Sequence, residues 1–172
     1  GDSRLGVIGT TARWLLPQLL GQVSRQHPGV HLTVHEGNTT SLVPRVVSQH
    51  LDAAIVQLPV DDPEVEVEPL FAEDLLLLVH TRHHLANFDS ITLAELATEP
   101  IMLPPLGTAL RRVIDRAATG VGVELQPQVE IDGVRLLTSL AFEGFGAAIV
   151  PATAVPGWLR GDFKRVAVPE MP

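Results

Sequence analysis

The sequence predicts an α/β protein made of two doubly wound, Rossmann-like lobes joined by a hinge. Short β-branched runs alternate with helical stretches that are apolar on one face, along nearly the whole chain. The order β-α-β-α-β reads once over residues 4–57 and again after residue 84. With 172 residues, 45% hydrophobic and 19% charged, the chain has enough apolar material for two small cores.

Leu5-Gly6-Val7-Ile8-Gly9 reads as a buried strand, ended by Gly9-Thr10-Thr11. Ala12, Leu15, Leu16, Leu19, Leu20 and Val23 then recur on one helical face. Thr10 or Thr11 is expected to cap that helix, Pro17 to kink it, and His27-Pro28-Gly29 to stop it. Val30–Glu36 alternates as a strand, and Gly37-Asn38-Thr39-Thr40 opens a helix carrying Leu42, Val43, Val46 and Val47. Asp52–Val56 reads as a parallel strand buried on both faces.

After a loop from Pro59 to Pro63, Val65, Val67 and Leu70 suggest an edge strand, and Leu75–Thr81 a central one. The hinge is expected at 80–84. The second set comprises helix 93–97, strand 101–103, a helix through Leu110, Val113, Ile114, Ala117 and Ala118, strand 129–131, helix 133–143, strand 147–150 and a last strand, 163–168. Lobe I is thus expected over residues 1–82 and lobe II over 83–168.

The net charge of −8 (12 Lys and Arg against 20 Asp and Glu) argues against this chain gripping a phosphate backbone, which takes a clustered basic face. Arg111-Arg112 is the nearest approach to such a patch. With no cysteine there is no disulfide, thiolate metal site or thiol redox chemistry. The longest apolar run, Leu75–Val79, is of strand length, so no membrane partner is expected. Gly1-Asp2-Ser3-Arg4 has no signal-peptide character, and a cytoplasmic piece of a longer protein is expected.

In open α/β sheets, ligands sit beyond the carboxyl ends of the strands, where helices begin and present free N–H groups. Small polar residues occupy those junctions here. The first lobe offers Thr10-Thr11, then Asn38-Thr39, then Gln57; the second offers Pro104–Thr108 and Asp132-Gly133. Each could be an ordinary helix cap. Their joint placement instead predicts a small-molecule site in a cleft between two lobes, with Arg13 and Arg111 near enough to suit an anion.

Other signals fail on geometry. Pro28-Gly29 separates His27 from His31 and His35, and His80, His83 and His84 have no ligand-spaced acidic neighbour in sequence, so no metal or other cofactor is expected. Gly144-Phe145-Gly146 follows a helix and precedes a strand, the reverse of a dinucleotide turn, and reads as a helix C-cap. No nucleophile motif occurs, so the chain is not expected to be an enzyme.

A series of short stretches carries a family resemblance. They are Leu5–Ala12, Leu15-Leu16-Pro17, His27–Leu32, Glu36-Gly37-Asn38 with Leu42, Leu51–Ile55, Glu68-Pro69-Leu70, Glu73-Asp74-Leu75, His84-Leu85-Ala86 and Glu143–Pro151. In this order and spacing the chain resembles the effector-binding domain of LysR-type transcriptional regulators over nearly its whole length.

The resemblance implies a periplasmic-binding-protein-like (type 2) fold with a small-molecule effector, an anion or amino acid, in the interlobe cleft. Thr10, Thr11, Asn38, Thr39, Gln57 and Thr108 would contact the effector, with Ile131 and Phe145 as apolar wall. DNA would be contacted only by a helix-turn-helix domain upstream of this chain. The resemblance also implies a homodimer or tetramer pairing through the first helix and second strand. The family's peroxide-sensing branch uses a cysteine pair, which this chain lacks. Residues 169–172 are expected to start a crossover returning to lobe I. The alternative of the same fold is a secreted solute-binding protein.

Overall fold

The computed structural model describes all residues, Gly1–Pro172, and divides them into two units, Gly1–Leu70 and Phe71–Pro172. The first unit runs β1 (Asp2–Ile8), α1 (Gly9–Gln26), β2 (His31–Gly37), α2 (Thr39–Val47) and β3 (Ala53–Ile55). Its three strands are parallel in the order β2-β1-β3. Gly6, on central β1, lets α2 pack closely. A Cβ there would come within 2.8 Å of Leu51 Cδ1 and 3.0 Å of Leu42 Cδ2, side chains that are themselves almost fully buried.

The second unit runs β4 (Leu75–His80), a 3-10 turn (His84–Asn87), α3 (Leu93–Leu96), β5 (Ile101–Leu103), α4 (Ala109–Gly120), β6 (Pro127–Glu130), α5 (Val134–Phe142), β7 (Ala147–Pro151), a second 3-10 turn (Ala152–Ala154) and β8 (Phe163–Ala167). Its five strands lie in the order β6-β5-β7-β4-β8, with β5 parallel to β6 and β7, and β4 antiparallel to β7 and β8. The order β6-β5-β7 repeats the winding of β2-β1-β3.

The period of two along each strand builds two apolar layers. Leu75, Leu77 and Val79 join Ile101, Leu103 and Ile149 with Leu110 and Ile114 of α4. Leu78 joins Met102, Ala148 and Val150 with Leu137 and Ala141 of α5.

Four expectations are corrected. The division falls after Leu70, not at 82/83, because β4 is hydrogen-bonded into the second unit's sheet on both sides. Residues 80–84 are accordingly part of that unit rather than a hinge, with Thr81 N–H donating to Asp162 O and His83 N–H to His80 O. No strand forms at 65–70, where Pro69 lacks a donor and Val67 and Leu70 lie exposed among acidic residues. β3 is an edge strand with Ala53 exposed, not a strand buried on both faces. α1 begins at Gly9 with Ile8 as its N-cap, so Thr10 and Thr11 lie inside the first turn and cap nothing.

Residues 169–172 are held to the second unit. Pro172 O accepts from Leu75 N–H, Glu170 Oε1 accepts from Leu93 N–H, and Met171 is buried.

Candidate functional site

Because β1, β2 and β3 are parallel, the junctions after them share one edge of the first unit's sheet. The second junction is a capping box. Asn38 Oδ1 accepts from Ser41 N–H at 2.8 Å, and Ser41 Oγ accepts from Asn38 N–H at 3.1 Å. Thr39 ties this junction to the third, since its buried hydroxyl accepts from Gln57 N–H at 3.0 Å and donates to Gln57 O at 3.3 Å.

The first junction differs. The 18-residue α1 has no side-chain cap and no acidic residue in its first turn, so its leading N–H groups and the positive end of its dipole are uncompensated. Thr10 and Thr11 are both buried there. Thr11 is 0% exposed and its Oγ1 has no hydrogen-bond partner. A buried hydroxyl without a partner forgoes about 1–3 kcal/mol of hydrogen-bonding free energy.

In the second unit the carboxyl ends of β5, β6 and β7 likewise share an edge. Thr108 caps α4: its hydroxyl accepts from Arg111 N–H and donates to Pro105 O at 2.9 Å. Ile131 N–H donates to Leu103 O at 2.9 Å, extending the β5–β6 ladder, and its side chain packs in the α5 layer.

Phe145 stands apart from these residues. It precedes β7, whose Ala147 is level with Ile101 at the start of β5, and the neighbouring Gly144 sits against His80 at the far end of β4. The structure therefore places Phe145, 54% exposed, at the end of the sheet opposite Thr108 and Ile131, away from any wall they form. The reading of Gly144 as a C-cap holds, with φ +81° and its N–H on Ala141 O.

By topology the counterpart of Gln57 is instead the turn after β7. Thr153 N–H there donates to Glu73 Oε2 at 2.9 Å, while Thr153 Oγ1 is buried without a partner. Thr153 and Glu73 were not singled out by sequence because no helix of useful length follows β7; the parallel register of β7 with β5 reveals them.

Arg111 is not the open cation that its sequence position suggested. It is 6% exposed, with Nε on both oxygens of Asp115 (2.9 and 3.1 Å) and Nη1 on Pro104 O (2.9 Å) and Glu130 Oε1 (2.6 Å). Burial works against its charge, but the hydrogen bonds to Asp115 and Glu130 outweigh that and raise its pKa.

The histidines at 83 and 84 do find partners. His84 Nε2 meets Glu99 Oε2 at 3.0 Å, and His83 Nδ1 accepts from Leu85 N–H. Burial, then the neighbouring His84, depresses the His83 pKa. A groove of about 460 Å³ runs beside them, lined by Leu85, Phe88, Ile91, Ala94 and Thr98 among others, and includes none of the strand-end residues. No helix is long and apolar enough to cross a membrane.

Two α/β units, each with parallel strands leading into helix starts at one edge, have the architecture in which ligands are held beyond the carboxyl ends of the strands. The family match makes this specific: the LysR substrate binding domain model matches residues 1–172, and the chain belongs to that family. It is 34% identical over 158 residues to a probable hydrogen peroxide-inducible genes activator of Streptomyces viridosporus, covering 90% of this chain and 50% of that one.

Among solved structures, the effector binding domain of QuiR in complex with shikimate superposes with a TM-score of 0.86 at 22% identity, covering 98% of this chain and 80% of that one. The Synechocystis PCC6803 CcmR regulatory domain in complex with 2-PG also gives 0.86 at 22% identity, covering 100% and 83%. The chain spans about half the length of the curated relatives it matches. Family membership makes this an effector-binding domain of a LysR-type regulator and sets aside the secreted solute-binding alternative.

Proposed function

We propose that the effector is a small organic acid whose anionic group is taken at the start of α1, and that its binding is relayed to a DNA-contacting segment outside this chain. One observation carries the reading: the first turn of α1 is uncapped, free of acidic side chains, and lined by the buried, unpartnered hydroxyl of Thr11. Free N–H groups, a positive helix end and a spare hydroxyl together suit a carboxylate or phosphate.

Thr10 and Thr11 are the primary contacts in this reading. Thr39 and Gln57 shape the same edge, and Asn38 and Thr108 serve through the helix starts they cap. Ile131 supplies apolar surface, Thr153 and Glu73 are added, and Phe145 is left out because of its placement. Two relatives of this fold carry small ligands, shikimate in one and 2-PG in the other, which is in keeping with a compact polar effector.

Binding without turnover is part of the proposal, as is oligomerisation through α1 and the open edge of β2. The net charge of −8 fits a module that leaves DNA contact to other parts of a longer regulator, and the lack of cysteine fits a mechanism other than thiol oxidation.

A thermal-shift screen of small carboxylates and phosphates tests the reading, with uncharged analogues as controls. Stabilisation by at least one acid, rising with its concentration and absent for its amide, is expected. An unmoved melting temperature across the whole panel would sink it.

A further inference from the structure

We infer that the groove beside His84 is a second ligand site, and that it takes a small organic cation: an amine carrying an aromatic or branched apolar body. The groove lies wholly within the second unit and is lined from the 3-10 turn at His84–Asn87 through α3. Its volume of about 460 Å³ falls in the range of small-molecule sites, about 300–1,000 Å³. A protein partner fits less well, because a stable interface takes about 20–30 residues a side and this groove is bounded by one turn and one short helix.

The lining is apolar at its base. Leu85 and Ile91 are almost fully buried in the larger apolar cluster, whereas Phe88 is 45% exposed. Covering that ring removes apolar surface from water, and its face attracts a cation. The groove is also fixed before any ligand arrives. Asn87 Nδ2 donates to His84 O at 3.1 Å, His83 Nδ1 accepts from Leu85 N–H at 3.2 Å, and the His83 and His84 rings stack at 4.6 Å. Thr92 and Glu95 close the capping box that starts α3. Little ordering is left for a ligand to impose.

Charge decides which apolar molecule fits. Glu95 and Glu99 both line the groove, and no lysine or arginine does. Glu95 Oε2 accepts from the Thr92 N–H and the Thr92 hydroxyl, each at 2.8 Å, and these bonds hold its carboxyl below the usual range. Glu99 Oε2 meets His84 Nε2 at 3.0 Å. Each carboxylate thus spends one oxygen within the domain and keeps Oε1 to accept from a ligand. Lys164 does not offset them, because it is paired with Asp89 at 2.7 Å. An ammonium meets two carboxylates here as partners, and an organic acid meets them as like charges.

Phenethylamine, phenethyl alcohol and phenylacetate share an apolar body and differ in charge, and ethylamine keeps the charge without the ring. Each is titrated into the domain by calorimetry, with backbone amide shifts followed by NMR. Phenethylamine is expected to bind about fivefold or more tightly than the alcohol, the worth of one exposed ion pair. Ethylamine and phenylacetate are expected not to saturate, and the amine's shifts are expected to centre on Leu85–Phe88 and Ala94–Glu99.

Phe88→Ala should weaken amine and alcohol alike by about fivefold. Glu95→Gln together with Glu99→Gln, which keeps a capping-box residue at 95, should bring the amine to within about twofold of the alcohol. The ligand series on the intact domain decides the matter even where a variant does not fold. Equal binding of amine and alcohol, phenylacetate binding as well as the amine, shifts centred elsewhere, or no binding of the amine each overturn the assignment. None of these outcomes bears on the acid site at α1, which its own screen decides.

Discussion

Thr11 has two descriptions that only measurement separates. As a structural residue its buried hydroxyl is a liability, and Thr11→Val should leave the free domain as stable or more stable by up to about 1–2 kcal/mol. As an effector contact, the same change should weaken acid binding by about tenfold in a titration. A variant that gains stability and binds acids unchanged would assign Thr11 to the core alone.

Asp52 illustrates a different residue-scale control. Its carboxylate accepts from Arg4 Nη2 at 3.0 Å and from Arg4 N–H at 2.7 Å, joining β1 to the start of β3. The side-chain hydrogen bond from Arg4 is the main cause of its lowered pKa. A lowered aspartate pKa contributes stability that is present above the unfolded value, about 3.9, and is lost as pH falls through the folded one. Melting temperature should therefore drop more steeply below about pH 4 in the wild type than in Asp52→Asn, which has no such proton to gain. Identical acid limbs for the two proteins would remove Asp52 from the account.

At the scale of elements, the helices start by different means. α2 and α3 begin with full capping boxes, Asn38 with Ser41 and Thr92 with Glu95, and α4 begins with the Thr108 cap. α1 alone among these has no side-chain cap although it is the longest. Asn38→Ala should cost about 1 kcal/mol in denaturant unfolding through the lost cap, with a further loss of effector affinity only if the α2 start also faces ligand. The Asn38 and Thr108 side chains were equally readable as caps or contacts in sequence, and their hydrogen bonds assign them to capping. Thr10 and Thr11 were read as caps by residue type, but the turn closes one residue earlier, at Gly9, and takes both hydroxyls inside.

Across the whole molecule, the apolar core is unevenly shared. Val7, Ala12, Leu42 and Leu51 are the buried apolar side chains of the first unit, whereas both large apolar clusters lie in the second. Opening free energy follows local burial, so the first unit should open at lower cost. Native-state hydrogen exchange should find the slowest amides on β4 and β7, around Leu77, Leu78 and Ile149, and clearly faster exchange along β1 and β3. Equal protection of β1 and β4 would contradict this partition. An acid bound at the start of α1 should slow exchange along β1, the strand that leads into that helix.

The sequence by itself determined the order of the elements, apart from the strand expected at Val65–Leu70, together with the helix and strand periodicities and the family. These depend on local spacing: an apolar stripe at helical period or an alternating strand is legible whatever it packs against. It also located most strand-end junctions, because Thr, Asn and Gly at a strand-to-helix turn are local choices.

Only the tertiary structure decided which sheet owns β4, since Leu75–His80 looks the same whether it extends one lobe or begins the next. Register did the same for the strand-end junctions, placing Phe145 at the edge opposite Thr108 and Thr153 at the same edge as Thr108. It also buried Arg111 between Asp115 and Glu130, 4 and 19 residues away, turning an apparent anion ligand into an ion-paired clamp on the strand ends. Pairing between distant segments fixes such environments, and that pairing is set by the packing of whole sheets rather than by the residues on either side.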